Sequence, residues 1–325
     1  MDCSISNEDL VCAIDEEKYN FFCNTLDFGM EHTIDLKIFQ NKETYNQIIQ
    51  VCANIFNEDI QRITYFTNDP YCGIAAIDIP EGSIFNKKVN SVYGAAVAMG
   101  IFGNIGNPNI DSINKMPFSI YSASHENAKL LNSKDLVQYP PEVKLGFHND
   151  GLFQGKQIHI PKNIMVYNMY INYRKPGNFK WAPLAAWEEA EKYERLLNEK
   201  LVKIRITPNF YFDKEGNINN TFVDTVEVPI CRINEKGEAS FFLNGNVLAQ
   251  DNELEMVDIV NSMRDSISKN PNNILIAQKE RRAFYLKNDF GFHARDIFEE
   301  PIEDADLTRV FIRAVDINAK SYYSY

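Results

Sequence analysis

AFYLKNDFGFHARDIFEEPIEDADLTRVFIR, residues 283–313, is the stretch whose reading decides the fold. An apolar, aromatic run (AFYLK) breaks at Asn288 and Asp289, resumes around His293, crosses an acidic segment and closes on TRVFIR. Short strands this close in sequence favour antiparallel pairing, because a parallel pair needs a crossover of about a dozen residues or more. Arg309 and Arg313 stand four apart on the last strand, and in a strand i and i+4 share a face, so both guanidiniums project into one space. Each is a planar, two-pronged donor matched to a carboxylate. Two buried together are costly unless anions meet them. The plainer reading is a surface pair bridging to Glu299, Glu300, Glu303 or Asp304, which with Asp306 read as a solvated loop.

Upstream, the text is also rich in strands. IMVYNMYINY, from Ile164, is β-branched and aromatic and stops at KPGN. Strands are expected over 221–232, 240–243, 274–277, 283–287 and 308–317. Helices are fewer. In KETYNQIIQVCANIF, Tyr45, Ile48, Ile49, Cys52 and Ile55 recur at helical spacing. A small, apolar helix is expected over about 89–102, ending in GNIGNPN, where Gly100, Gly103 and Gly106 read as a turn rather than a phosphate loop. An amphipathic helix spans 184–201, with Leu184, Trp187, Ala190, Tyr193, Leu196 and Leu197 on one face, and another covers 253–268. The fold class is mainly β with flanking helices.

Composition removes several function classes. The 325 residues carry 33 Lys+Arg against 45 Asp+Glu, a net charge of -12, and no basic stripe that would displace counterions from nucleic acid. No stretch approaches the ~18 apolar residues that span a bilayer. The opening MDCSISNEDL lacks the basic start of a secretory leader. The six cysteines contain no Cys-x-x-Cys pair, which argues against a zinc knuckle and a dense disulfide scaffold. One or two bridges among the five in the first 72 residues stay open. A soluble, cytoplasmic protein without a nucleic-acid or membrane partner is expected.

There are five histidines, His32, His125, His148, His159 and His293, and this is the residue most used for metals and proton transfer. In LGFHNDGLF (145–153), extended backbone would turn His148 and Asp150 to one side. With a second histidine from a distant strand they would complete a 2-His-1-carboxylate facial set, which holds Fe(II) and leaves positions for a cosubstrate and dioxygen. Taken alone, the pair is a weak signal, and its plainer reading is a strand-end histidine bonded to a neighbouring carboxylate. His159 lies before a proline and reads as a loop residue, His32 as a surface residue, and His125 as a helix start or strand cap, with a pocket lining beside Ser124 and Tyr121 as the alternative. Trp181 and Trp187 read as core anchors.

The order His148-x-Asp150, a long β-rich tract with a helical insert, His293-x-Arg295 and Arg309-x-x-x-Arg313 resembles the Fe(II)/2-oxoglutarate oxygenases of the clavaminate synthase-like and taurine dioxygenase-like branch. The likeness is specific over about 145–153 and 280–316, vaguer over 89–125, and absent from the first 80 residues. It implies a double-stranded β-helix (jelly roll) forming one oxygenase domain over 1–325. Its core would span about 110–317, with a helical insert at 184–201 and a mixed α/β buttress over 1–105. It implies that His148, Asp150 and His293 bind Fe(II), that Arg309 pairs with the distal carboxylate of 2-oxoglutarate, and that Arg313 faces a substrate carboxylate. The reaction implied uses O2 to oxidise an unactivated C–H bond of a free amino acid or a related small carboxylate. Hydroxylation is the default outcome, and desaturation or oxidative ring closure are alternatives. A carboxylate at Asp150 fills the place that related halogenases keep open for chloride. A cupin-like, non-oxygenase metal protein is the rival, and it would carry more histidines near the first pair.

Two departures stand out. The branch often sets a Thr beside the cosubstrate arginine; here PGNFKWAPLA (176–185) has none, leaving Lys180 or Trp181 for that role, or neither. The usual Asp-Asn before the distal histidine is reversed, as Asn288-Asp289.

Overall fold

The strand Asn163–Ile171 shows how the architecture follows from alternation. Ile164 and Val166 face one apolar cluster while Met165 and Tyr167 face another, so the strand is buried on both sides. It lies inside a six-stranded sheet ordered Val11–Ala13, Ile74–Asp78, Arg282–Lys287, Asn163–Ile171, Leu307–Val315, Ser119–Ser124. All neighbours are antiparallel except the first two, which run parallel. In this computed structural model the chain is described over residues 8–26, 35–82, 86–112, 114–124, 141–154, 157–205, 209–212, 218–221, 225–302 and 305–324. His32, His125, Glu303 and Asp304 fall outside those ranges.

A second, four-stranded antiparallel sheet runs Ile274–Ala277, Asn178–Pro183, Gly291–Arg295, Leu145–His148. Ile164, Val166, Phe284 and Leu286 of the large sheet meet Phe179, Trp181 and Ile276 of the small one in a shared interior. Phe179 and Phe284 stack across it at 4.5 Å. Antiparallel sheets facing one another around an apolar interior make the expected jelly roll.

Helices Glu16–Thr25, Lys42–Ile55, Asn57–Asn68 and Lys87–Ile105 cover the outer face of the large sheet, against Met165, Tyr167, Tyr285, Ile312 and Ala314. Asn41 caps the second of them, accepting from the Glu43 and Thr44 amides. Lys87–Ile105 is apolar on every side and accordingly buried along most of its length. It runs three residues beyond the expected end at 102, so Gly103 lies within it. A Cβ at Gly100 would come within 2.3 Å of Cys52 Sγ, so this glycine answers a close helix–helix approach rather than a turn.

Several boundaries differ from expectation. The stretch 184–201 is not one helix: a short 3-10 turn at Leu184–Ala186 precedes the helix Ala190–Leu197. Glu199, at φ 56, then turns the chain into the strand Leu201–Arg205. The expected strand at 221–232 is divided into Thr225–Pro229 and Cys231–Ile233. The expected 240–243 is Ala239–Phe241, and the last helix is Leu254–Lys269. These elements share a core with Trp187, Leu197, Val226, Val228, Val260 and Met263. Part of the acidic loop is a strand, Glu299–Pro301, paired with Tyr173–Lys175, where Lys175 bonds Glu300. Cys12, Cys23, Cys52, Cys72 and Cys231 are free and buried, so none of the five enters a bridge. Among the described residues no helix is long and apolar enough to cross a membrane.

Candidate active site

His293 lies in the middle of the strand Gly291–Arg295, and antiparallel pairing sets it directly opposite His148, the last residue of its own strand. On its other side the strand packs closely on Asn178–Pro183, where Gly291 is needed because a Cβ there would meet the Ala182 carbonyl oxygen at 2.4 Å. Asp150 stands two residues past the strand end, so its placement comes from the loop rather than from the pleat. Asn288, fully buried, fixes that loop. Its Oδ1 accepts from the Asp150 amide at 2.9 Å, and its Nδ2 donates to the carbonyls of Asp150 at 2.9 Å and Pro161 at 3.0 Å.

The ligand-capable atoms of His148, Asp150 and His293 all lie within 4.8 Å of one another, the sole group of this kind among the described residues. Asp150 Oδ1 is 3.9 Å from each histidine Nε2. The rings of His148 and His293 are 4.2 Å apart, and Phe179 lies parallel to His293 at 5.9 Å. His148 Nδ1 donates to the Gly146 carbonyl at 2.9 Å, which leaves the Nε2 lone pair turned toward the carboxylate. Burial lowers the pKa of both imidazoles, that of His293 to about 3 with His148 beside it as the next cause, so both are neutral at neutral pH. Burial favours the protonated form of Asp150, yet Arg313 and the two histidines outweigh it and hold the carboxyl below its usual value. The His148 lone pair and the Asp150 charge thus converge, and neutral His293 can add a second lone pair through the Nε2 that faces Asp150, a donor set that a cation stabilises. A first-row metal bonding at about 2.1 Å sets ligand atoms on one face about 3.0 Å apart, so the two 3.9 Å separations would each shorten on binding one shared ion.

The arginines differ in their partners. Arg313 reaches Asp150 Oδ2 at 3.2 Å through Nη1, beneath the face of Tyr121, which itself stacks on Phe311 at 4.8 Å. Oδ1 is left for the histidine side, so Asp150 offers one oxygen rather than two. Arg309, also on the inner face, is buried with Phe311 at 4.2 Å and Phe298 at 5.0 Å from its guanidinium carbon. Its Nη2 donates to Asn168 Oδ1 at 2.7 Å and Gln278 Oε1 at 3.2 Å. No carboxylate pairs with it among the described residues. Burial, with repulsion from Arg295, lowers its hold on the proton well below the ordinary arginine range. Neither arginine bridges to Glu299 or Glu300; both turn inward.

Other expectations give way. Trp181 spends its indole N–H on the Cys72 carbonyl at 2.6 Å, and Lys180 pairs with Asp296 at 2.5 Å, so neither stands beside Arg309. His159 belongs to a strand, Gln157–Pro161, not a loop, and is not among the converging ligands. Asn168 and Gln278, both bonded to Arg309, belong to none of the motifs in the sequence. Asn168 had a signal, because it continues the inward alternation of Ile164 and Val166 and is polar where they are apolar. Gln278 had none, since its place beside Arg309 depends on the turn after Ile274–Ala277.

No protein-family model and no curated protein matches this sequence. Solved structures do match in fold. One is asparagine oxygenase in complex with Fe(II), 2S,3S-3-hydroxyasparagine and succinate, at TM-score 0.62 and 12% identity over 94% of this chain and 93% of that one. Another is the non-heme iron oxygenase OrfP with Fe, succinate and (3S)-hydroxy-L-Arg, at TM-score 0.62 and 9% identity over 94% and 93%. OrfP with Fe and L-canavanine matches at TM-score 0.58 and 10% identity over the same shares. At these identities the likeness is one of fold.

Proposed function

We propose that the protein is an Fe(II)- and 2-oxoglutarate-dependent oxygenase that hydroxylates a free amino acid or a closely related small carboxylate. The observation that carries this reading is the convergence of His148, Asp150 and His293 within 4.8 Å beside two inward-facing arginines on one strand. The solved structures that share the fold support it, since they hold iron, succinate and hydroxylated amino acids.

In this reading His148, Asp150 and His293 hold the iron. Bound Fe(II) would supply the power to oxidise an unactivated C–H bond, with dioxygen and 2-oxoglutarate as cosubstrates. Asp150 is kept to a single ligating oxygen by Arg313, which leaves room for the cosubstrate. Arg309, an inward cation without a carboxylate of its own, takes the distal acid of 2-oxoglutarate. Arg313 keeps Nε without a partner among the described residues and can meet the acid group of the amino acid while Nη1 stays on Asp150. Phe179, Phe284 and Phe311 keep water from the interior. Free, buried cysteines agree with a reducing, cytoplasmic setting.

The test is reconstitution with Fe(II) and 2-oxoglutarate under nitrogen, followed by air and a panel of free amino acids. The expected result is succinate formed in step with a hydroxylated product for at least one member. Absence of 2-oxoglutarate consumption with every member would overturn the reading.

A further inference from the structure

Gln278 follows the strand Ile274–Ala277 and is buried, its backbone amide donating to the Gly177 carbonyl at 2.9 Å. Its Oε1 accepts from Arg309 Nη2 at 3.2 Å and from Asn168 Nδ2 at 3.5 Å. Two donors on one atom settle the orientation of the amide, so Nε2 is the end that neither Arg309 nor Asn168 engages. That nitrogen is buried and has no partner among the described residues, and the same holds for Arg309 Nε. An orphaned buried donor is costly, and two beside a cation without a carboxylate define a place for an anion with two acceptor oxygens. Phe298 and Phe311 wall the guanidinium, which strengthens any charge pairing made there.

We propose that Gln278 Nε2 is the second donor, with Arg309, to the distal carboxylate of the 2-oxo diacid, and that Asn168 is the positioning residue that holds both. The inference rests on the function proposed above and names the residue that serves where 176–185 offers no hydroxyl. The carboxylate would receive one oxygen's bond from the guanidinium and the other's from the amide. Its charge is then matched by Arg309 alone, with Gln278 supplying direction rather than charge.

Anaerobic titration of the Fe(II)-loaded protein, read by the visible chelate band, tests this with two ligands. One is 2-oxoglutarate; the other is 2-oxobutyrate, which has the same 2-oxo acid end and no distal carboxylate. Gln278→Met keeps the bulk and removes the donor, and Gln278→Glu sets a negative charge against the ligand. The expected result is a Kd for 2-oxoglutarate raised about ten- to hundredfold in Gln278→Met and at least as far in Gln278→Glu, with 2-oxobutyrate binding unchanged. Equal weakening of both ligands would mark a merely structural residue, and unchanged 2-oxoglutarate binding would mark no contact; either overturns the assignment. Should Gln278→Met not fold, Gln278→Asn, which withdraws the amide by one methylene, is read by the same two titrations. If the unaltered protein binds neither keto acid, the fault lies with the functional reading, and the assignment falls with it.

Discussion

Arg313 occupies a double position, on the carboxylate that would bind iron and within reach of a substrate acid. Truncating one partner of a buried charge pair costs on the order of a hundredfold in binding terms. Arg313→Ala should therefore lose about that much in kcat/KM for the amino acid while succinate is still formed without product. Tightly coupled turnover with unchanged KM would contradict the role. His293 makes a separate prediction for the metal-free protein. Its folded pKa of about 3 lies below the unfolded value near 6.5, so the unfolded chain takes up a proton that the folded chain refuses. Its contribution is full above about pH 6.5 and is lost as pH falls toward 3. Urea unfolding at pH 7 and pH 5 should show His293→Gln losing about 2 kcal/mol less across that interval than the parent. Equal losses would show that the ring is not held neutral by burial.

Among the elements, the loop after Leu145–His148 matters most, because Asp150 lies beyond the strand and is held by Asn288 from 138 residues away. Asn288→Ala removes three hydrogen bonds from a fully buried amide, so a loss of about 3 kcal/mol in unfolding free energy is expected. Iron affinity should fall about ten- to hundredfold, as for other residues that orient a ligand. A variant with unaltered iron affinity would show that the loop holds itself. Much at this scale could be read in advance. The alternation of IMVYNMYI, the helical spacing around Cys52 and the paired motifs His148–Asp150 and Arg309–Arg313 are local signals with a local cause. What could not be read was set by partners far along the chain. In the sequence Asn288 reads as half of a reversed motif, and its bonds to Asp150 and Pro161 give the reason for an asparagine there. Lys180 and Trp181 fit the vacant role by position in the sequence, but Asp296 and the Cys72 carbonyl take their polar groups.

For the molecule as a whole, the large sheet divides two labours. Its outer face takes the helices, and its inner face carries Val166, Asn168, Arg309, Phe311 and Arg313 toward the small sheet that bears the histidines. The candidate centre therefore exists only when chain segments around 148 and 293 close over one interior. The N-terminal part is tied to this frame by Arg281, which donates to the carbonyls of Ile79 and Asn90 and to the Tyr19 hydroxyl. The most direct check of this account is Fe(II) stoichiometry, measured anaerobically on the parent, His148→Ala and His293→Ala with circular dichroism confirming that each is folded. One equivalent of iron in the parent, and none retained by either folded variant, is the predicted result. A full equivalent still bound by either variant would contradict it.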